Sequence, residues 1–290
     1  MKDVVTNKYI GIYILLAVTA VSLLVTPFNS LDPVNLPKLC LLVLVAFIAA
    51  GLVFSKTEFL VGKDYKLPVF VVGLFILQLI LVLLFDSRTF ALKFYGTASR
   101  NTGFIAYLSL SFLLLASMAT AGYVLMKRYV WALIAVGTVL AFYGVAQSQG
   151  HDFYKFNNAY GSNVFGSFGN PNFQSAFMGI AAATALTLAV FSSLKIYFKL
   201  ALIVLVVLAI YNVSLSSQQG YLNFMAGFAA AVIVYLFMTK HAVFGWSALG
   251  LFIIGLFLVL LGILDKGPLA QAIYKSVSYT HLTLPTKRIV

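Results

Sequence analysis

Residues 150–172, GHDFYKFNNAYGSNVFGSFGNPN, form the longest polar, glycine- and asparagine-rich interruption in a chain that is otherwise almost continuously apolar. Apolar runs long enough to cross a bilayer flank it on both sides. Irregular backbone at membrane depth persists only where protein or water satisfies its polar groups. The stretch is therefore either a surface loop or the lining of a site. Two further polar islands, residues 86–101 and 214–220, break the apolar pattern in the same way.

Of the 290 residues, 62% are hydrophobic and 9% charged, and the mean hydropathy is +1.02. No soluble domain of this length has that composition. It specifies an all-α, polytopic transmembrane helical bundle. Transmembrane strands would give short alternating segments, and here the runs are continuous. The net charge of +12 would suggest nucleic acid in a soluble protein. Here most lysines punctuate apolar spans, as membrane topology requires, so no nucleic-acid partner is expected. Membrane lipids are. The single cysteine, Cys40, excludes an intrachain disulfide, and histidines at 151, 241 and 281 have no metal-ligand spacing. The first apolar run is too long for a cleaved signal sequence and reads as a signal anchor.

The pattern predicts about nine spans, each near the ~20 residues a crossing needs. They cover 10–28, 39–54, 68–85, 102–125, 129–147, 173–194, 200–215, 221–239 and 242–264. Residues 39–54 and 200–215 are short for a crossing. With the N-terminus cytoplasmic, ten lysines and arginines fall inside and six outside, as the positive-inside rule demands. Lys127–Arg128, Lys195–Lys199 and Lys240–His241 then read as tight basic connections. All three polar islands face outward together.

Residues 86–101 carry Arg88, Lys93 and Arg100 against a single acid, Asp86. Positive charge outside runs against the insertion bias. The segment is either a solvated loop at the lipid headgroups, anchored by Phe90, Phe94 and Tyr95, or an anion site. Arg100 is the best catalytic candidate: its guanidinium suits phosphate, and Ser99-Arg100-Asn101-Thr102-Gly103 opens a helix whose N–H groups point the same way. Arg88 and Lys93 are candidate substrate-binding residues. Gly166-Ser167-Phe168-Gly169-Asn170-Pro171-Asn172 is a well-made helix start, and Asn170 and Asn172 can also offer amides to a sugar or phosphate. Gln149 and His151 precede it; His151 could serve as a base or be merely solvated. Ser217 and Gln218 sit in the third island, which is otherwise a short hairpin connection. The outward acids Asp32, Asp86, Asp152 and Asp265 lie in four separate loops, which favours chemistry without a metal. No cofactor is expected, and no soluble-enzyme fingerprint is present.

Taken together, SRNTGF at 99–104, Gln147 with Gly150-His151-Asp152, GSFGNPNFQSAF at 166–177 and SLSSQQG at 214–220 resemble the O-antigen ligase and polymerase family of bacterial envelope proteins. The resemblance covers most of residues 9–275. It implies a glycosyltransferase of the bacterial cytoplasmic (inner) membrane with about a dozen helices. Its donor would be an oligosaccharide on undecaprenyl pyrophosphate at the outer face, its acceptor a glycan, lipid or protein. The family's arginine before a helix start maps onto Arg100. Its Ser-Arg-Gly signature maps onto Ser217-Gln218-Gln219-Gly220, where this chain has glutamine. The family's large outer loop, with a functional histidine and arginine, would follow the ninth span. There the chain changes character. Residues 276–290, SVSYTHLTLPTKRIV, read as a non-native tail on a 1–275 membrane domain, and the parent protein is expected to continue. A transporter or flippase is the rival reading, against which stand spans without Asp, Glu, Lys or Arg and without a repeat. An inactive fragment is a third.

Overall fold

A computed structural model describes residues 2–26, 28, 32–55, 65–97, 100–120, 123–153, 156 and 163–264. Ser99, Lys155, Asp265, Lys266, His281 and the 276–290 tail lie outside the described residues. Among those described, all regular structure is helical: α1 (Lys2–Leu23), α2 (Asn35–Phe54), α3 (Lys66–Phe85), α4 (Phe90–Tyr95), α5 (Phe104–Thr120), α6 (Tyr123–Ser148), α7 (Pro171–Phe191), α8 (Ile196–Ser216), α9 (Gln219–Met238) and α10 (Ala242–Ile263). A 3-10 turn, Gly166–Phe168, precedes α7.

Seven of these, α2, α3 and α6 to α10, are long and apolar enough to cross a membrane. The chain is a multi-pass helical membrane protein. The apolar part of α1, Tyr9–Leu23, and α5 are shorter. At 1.5 Å per residue, the 17 residues of α5 reach ~26 Å, just under a ~30 Å hydrocarbon core.

Helix ends depart from the sequence reading in a consistent way. The two short spans lengthen to 20 and 21 residues as α2 and α8, because each takes in a first turn containing Lys38 or Lys199. Lys127–Arg128 is not a connection but lies within α6. A lysine or arginine is a good helix former, and its long stem lets the charge reach the interface from inside a helix. Charge therefore marks the membrane boundary rather than the helix boundary. The third island is likewise mostly helix: only Ser217 and Gln218 separate α8 from α9.

The chain forms two compact units: Met1–Val136 with Ser167–Gly169, and Gly137–Gly166 with Asn170–Val290. In the first, α5 packs on α1, α2, α3 and α4. Ala46, Ala49 and Ala116 are fully buried there among Ile10, Ile14, Val45, Val53 and Leu113. The Phe112 ring lies edge-on to Phe47 and Phe54, with centroids 5.2 and 5.9 Å away.

In the second unit α7 is the hub, packed by α8 and α9. Met178, Ala181, Ala182 and Ala185 are fully buried. Small residues let backbones approach where lipid offers no hydrophobic drive for helices to associate. A Cβ on Gly179 would overlap the Gly220 carbonyl of α9, and one on Gly220 would overlap Ser175. The Asn212 amide of α8 crosses to α6, where its Nδ2 donates to the Ala141 carbonyl at 3.0 Å. Gly144 leaves it room.

Gly179→Val should overpack the α7–α9 contact and cost about 1–3 kcal/mol. Thermal unfolding of the detergent-solubilised protein checks this. Gly73→Ala, with nothing within 4 Å of the added Cβ and a better helix former in mid-helix, should not lower the midpoint.

Candidate functional site

In the first unit, residues 86–103 form a cationic turn and a pinched loop. Asp86 ends α3, and Arg88 folds back onto it. The Arg88 Nε contacts both carboxylate oxygens at 3.0 Å, and one terminal guanidinium nitrogen sits 2.6 Å from Oδ2. The Arg88 backbone N–H adds a bond of 2.8 Å to the same carboxylate. These hydrogen bonds from Arg88, side chain first and then backbone, hold the Asp86 carboxyl down at about 2. Their contribution is present above the ordinary aspartate range and is lost as pH falls through about 2, so Arg88 is paired at any physiological pH. Lys93, on α4, donates through Nζ to the Asp86 carbonyl at 2.9 Å. Two of the three cations are thus committed to one aspartate.

Arg100 is different. It is exposed, and among the described residues its guanidinium has no hydrogen-bond or ion-pair partner. A narrow neck holds it. Gly96 has φ of 88°, and a Cβ there would strike the backbone of Thr102 and Gly103. A Cβ on Gly103 would strike Gly96, Phe94 and Tyr95. The N–H groups of Arg100 and Asn101 both bond the Thr97 carbonyl, at 3.1 and 3.0 Å, and Asn101 takes φ of 50°. Gly96 and Gly103 thus meet backbone to backbone, with Arg100 between them in sequence and α5 beginning at Phe104. Elsewhere in this unit Lys38 donates through Nζ to the Ser22 carbonyl at 2.7 Å and lies 4.7 Å from the Phe168 ring centre. Ser167 donates to the same carbonyl at 2.8 Å. Asp32 accepts from the Asn35 N–H at 2.7 Å and so starts α2.

In the second unit, Val164 of the second island meets Leu215 and Ser216 of the third. The organiser there is Gln147, near the end of α6. Its Oε1 accepts from the backbone N–H groups of Phe165 and Gly166 at 2.9 and 3.0 Å. Its Nε2 donates to Asp152 at 2.9 Å, and the Tyr143 hydroxyl donates to the other oxygen of that carboxylate. Val164 then exchanges bonds with the end of α8: its N–H donates to the Leu215 carbonyl at 3.1 Å, and its carbonyl accepts from Ser216 Oγ at 2.7 Å. Ser175 of α7 donates to the Ser217 carbonyl and accepts from the Gly220 N–H at 3.0 Å. Rings of Tyr143, Phe153, Phe156 and Phe165 run along this segment in successive contacts of 5.0 to 6.1 Å.

Of the residues singled out in the sequence here, Asn170 caps α7, its side chain accepting from Asn172 N–H at 2.8 Å. Ser217 Oγ accepts from Gln219 N–H at 3.3 Å. Gln218, Gln149 and His151 are exposed. Among the described residues no side chain orients the His151 ring. Sequence reasoning passed over Gln174. It is fully buried in the first turns of α7, and neither its amide oxygen nor its nitrogen has a hydrogen-bond partner among the described residues. The amide lies directly against Gly166, whose φ is 53°. An unmet buried amide costs about 1–3 kcal/mol, so it is a ready donor and acceptor for a polar ligand. The available signal was an amide inside an apolar helix.

Comparison of the chain with protein-family models, curated proteins and solved structures returned no match.

Gln147→Leu should strand two buried N–H groups, costing on the order of 1–3 kcal/mol for each. Gln147→Glu keeps an acceptor but sets a second carboxylate beside Asp152, which raises the pKa of one of them. That penalty stands at high pH and is relieved as pH falls through the raised folded-state pKa. The Gln147→Glu deficit relative to wild type should therefore be larger at pH 8 than at pH 5, which paired thermal unfolding curves measure.

Proposed function

We propose that this chain belongs to an envelope glycosyltransferase of the O-antigen ligase or polymerase type. It would act at the outer face of a bacterial cytoplasmic membrane on an oligosaccharide linked to undecaprenyl pyrophosphate. The reading further takes α1 and α5 as crossing with the seven longer helices, for nine spans in all, with the N-terminus inside. The observation that carries it is Arg100. It is the one cation of residues 86–101 left without a partner among the described residues, and it lies between two glycines that meet backbone to backbone.

In the transfer, an acceptor hydroxyl oxygen bonds to the anomeric carbon of the donor sugar. The bond from that carbon to the pyrophosphate oxygen breaks, and the pyrophosphate leaves with the electron pair. Negative charge grows on the leaving oxygen, where a fixed guanidinium is worth most. Arg100 takes that role. Arg88 and Lys93, tied to Asp86, shape the field around the loop rather than bind the phosphates directly. The acceptor proton goes to a base. The sequence offers His151 for that role, and among the described residues no side chain orients its ring. In the second unit, the Gln174 amide, unmet among the described residues, is the proposed contact for a sugar hydroxyl.

Arg100→Ala should lower glycan transfer from a polyprenyl-linked donor by about 10²–10³-fold without removing the protein from the membrane. Arg88→Ala should cost far less. Equal activity of Arg100→Ala and wild type would overturn the assignment. Gly103→Ala, which wedges open the neck, should behave like Arg100→Ala.

A further inference from the structure

A groove of about 530 Å³ in the first unit is lined by none of the residues discussed above as candidates for transfer. It is lined by Leu15 of α1 and by Val124, Lys127, Arg128, Trp131, Ala132 and Ala135 of α6. The α6 positions recur at three- and four-residue steps, so they form one face of that helix. The face is chemically graded. Both cations sit in its first turns, an indole follows one turn on, and the remainder is alanine. Among the described residues neither Lys127 nor Arg128 has a hydrogen-bond or ion-pair partner. The neighbouring face of α6 is already used: Leu125 fills the space at Gly11 of α1, where a Cβ would overlap it, and Tyr129 packs on the buried cluster around Ile10 and Ile14.

We infer that this groove binds one anionic glycerophospholipid, with the phosphate at Lys127 and Arg128 and an acyl chain laid along Trp131, Ala132, Ala135 and Leu15. Three observations select that occupant. Cations within an apolar helix face call for an anion that is itself attached to a hydrocarbon. From Val124 to Ala135 the helix advances ~16 Å, about half of a ~30 Å hydrocarbon core, the depth of one leaflet. Basic pockets between transmembrane helices hold anionic headgroups, and an indole beside them belongs at headgroup depth. The two alanines leave the groove open where larger residues would close it.

Native mass spectrometry of the detergent-purified chain, titrated with dioleoyl phosphatidylglycerol or dioleoyl phosphatidylcholine, tests the site. Wild type should retain one phosphatidylglycerol saturably and little phosphatidylcholine at the same concentration. Lys127→Gln with Arg128→Gln should weaken phosphatidylglycerol about thirtyfold, each charge contributing about fivefold at an anionic surface. Leu15→Trp, from the opposite wall, and Ala132→Leu with Ala135→Leu keep both cations and should also release the lipid. Glycerol 3-phosphate at millimolar concentration should not displace it. Equal retention of the two lipids, or retention unchanged in either the charge pair or the alanine pair, overturns the inference. Displacement by glycerol 3-phosphate would make it a soluble-anion site, and loss of a dimer on the same substitutions would give the groove to a second copy.

Discussion

Close backbone approach around α7 is the constraint on which the second unit depends. Lipid tails are as apolar as leucine, so helices gain little by hiding leucines from them, and cohesion must come from dispersion and hydrogen bonds at short range. Gly179, Ala181, Ala182 and Ala185 supply that range on α7, and Gly220 on α9 and Gly137 on α6 receive it. Once the helices are that close, polar groups at their ends can be shared. Ser175 reaches the α8–α9 connection only because Gly220 has no side chain in the way.

The same logic governs polar residues inside helices. Asn212, Gln147 and Ser175 each join one element to another through backbone groups that water would otherwise satisfy. Gln147 does so twice, at the consecutive N–H groups of Phe165 and Gly166, and this fixes those two residues against the end of α6. Among the described residues the Asn212 amide oxygen is buried without a partner, and Gln174 goes further, with both ends of its buried amide unmet.

Helix class and the approximate positions of the apolar runs were legible from composition and run length alone, since few soluble alternatives exist at this hydropathy. The contacts of Val164 with Leu215 and Ser216 join two of the polar islands that the sequence places on one side of the membrane. Helix ends did not follow, because Lys38, Lys127, Arg128 and Lys199 were read as breaks when they are good helix formers with long stems. The inequality among Arg88, Lys93 and Arg100 was equally hidden. It depends on Asp86 turning back on Arg88 and on two glycines meeting across seven residues, and neither is a property of any single position. Gln147 and Gln174 fall within the sequence motifs, where nothing local distinguishes them. Their significance is that amides in an apolar stretch must be met or be costly.

The side chains that make α7 the best-packed helix also make it the poorest match for lipid. Half of its apolar window is buried, the largest share among the seven, and its hydropathy of 1.6 is the lowest; α3, at 2.9, buries 6%. Alanine, glycine, glutamine and serine give a nascent helix little free energy for partitioning into the bilayer by itself. The following helix, α8, is far more apolar at 2.3 and begins four residues after α7 ends, beyond Ser192–Lys195. The alanines that set the helix spacing thus make α7 depend more on its neighbours than on lipid, and α8 is the neighbour that follows it most closely in the chain.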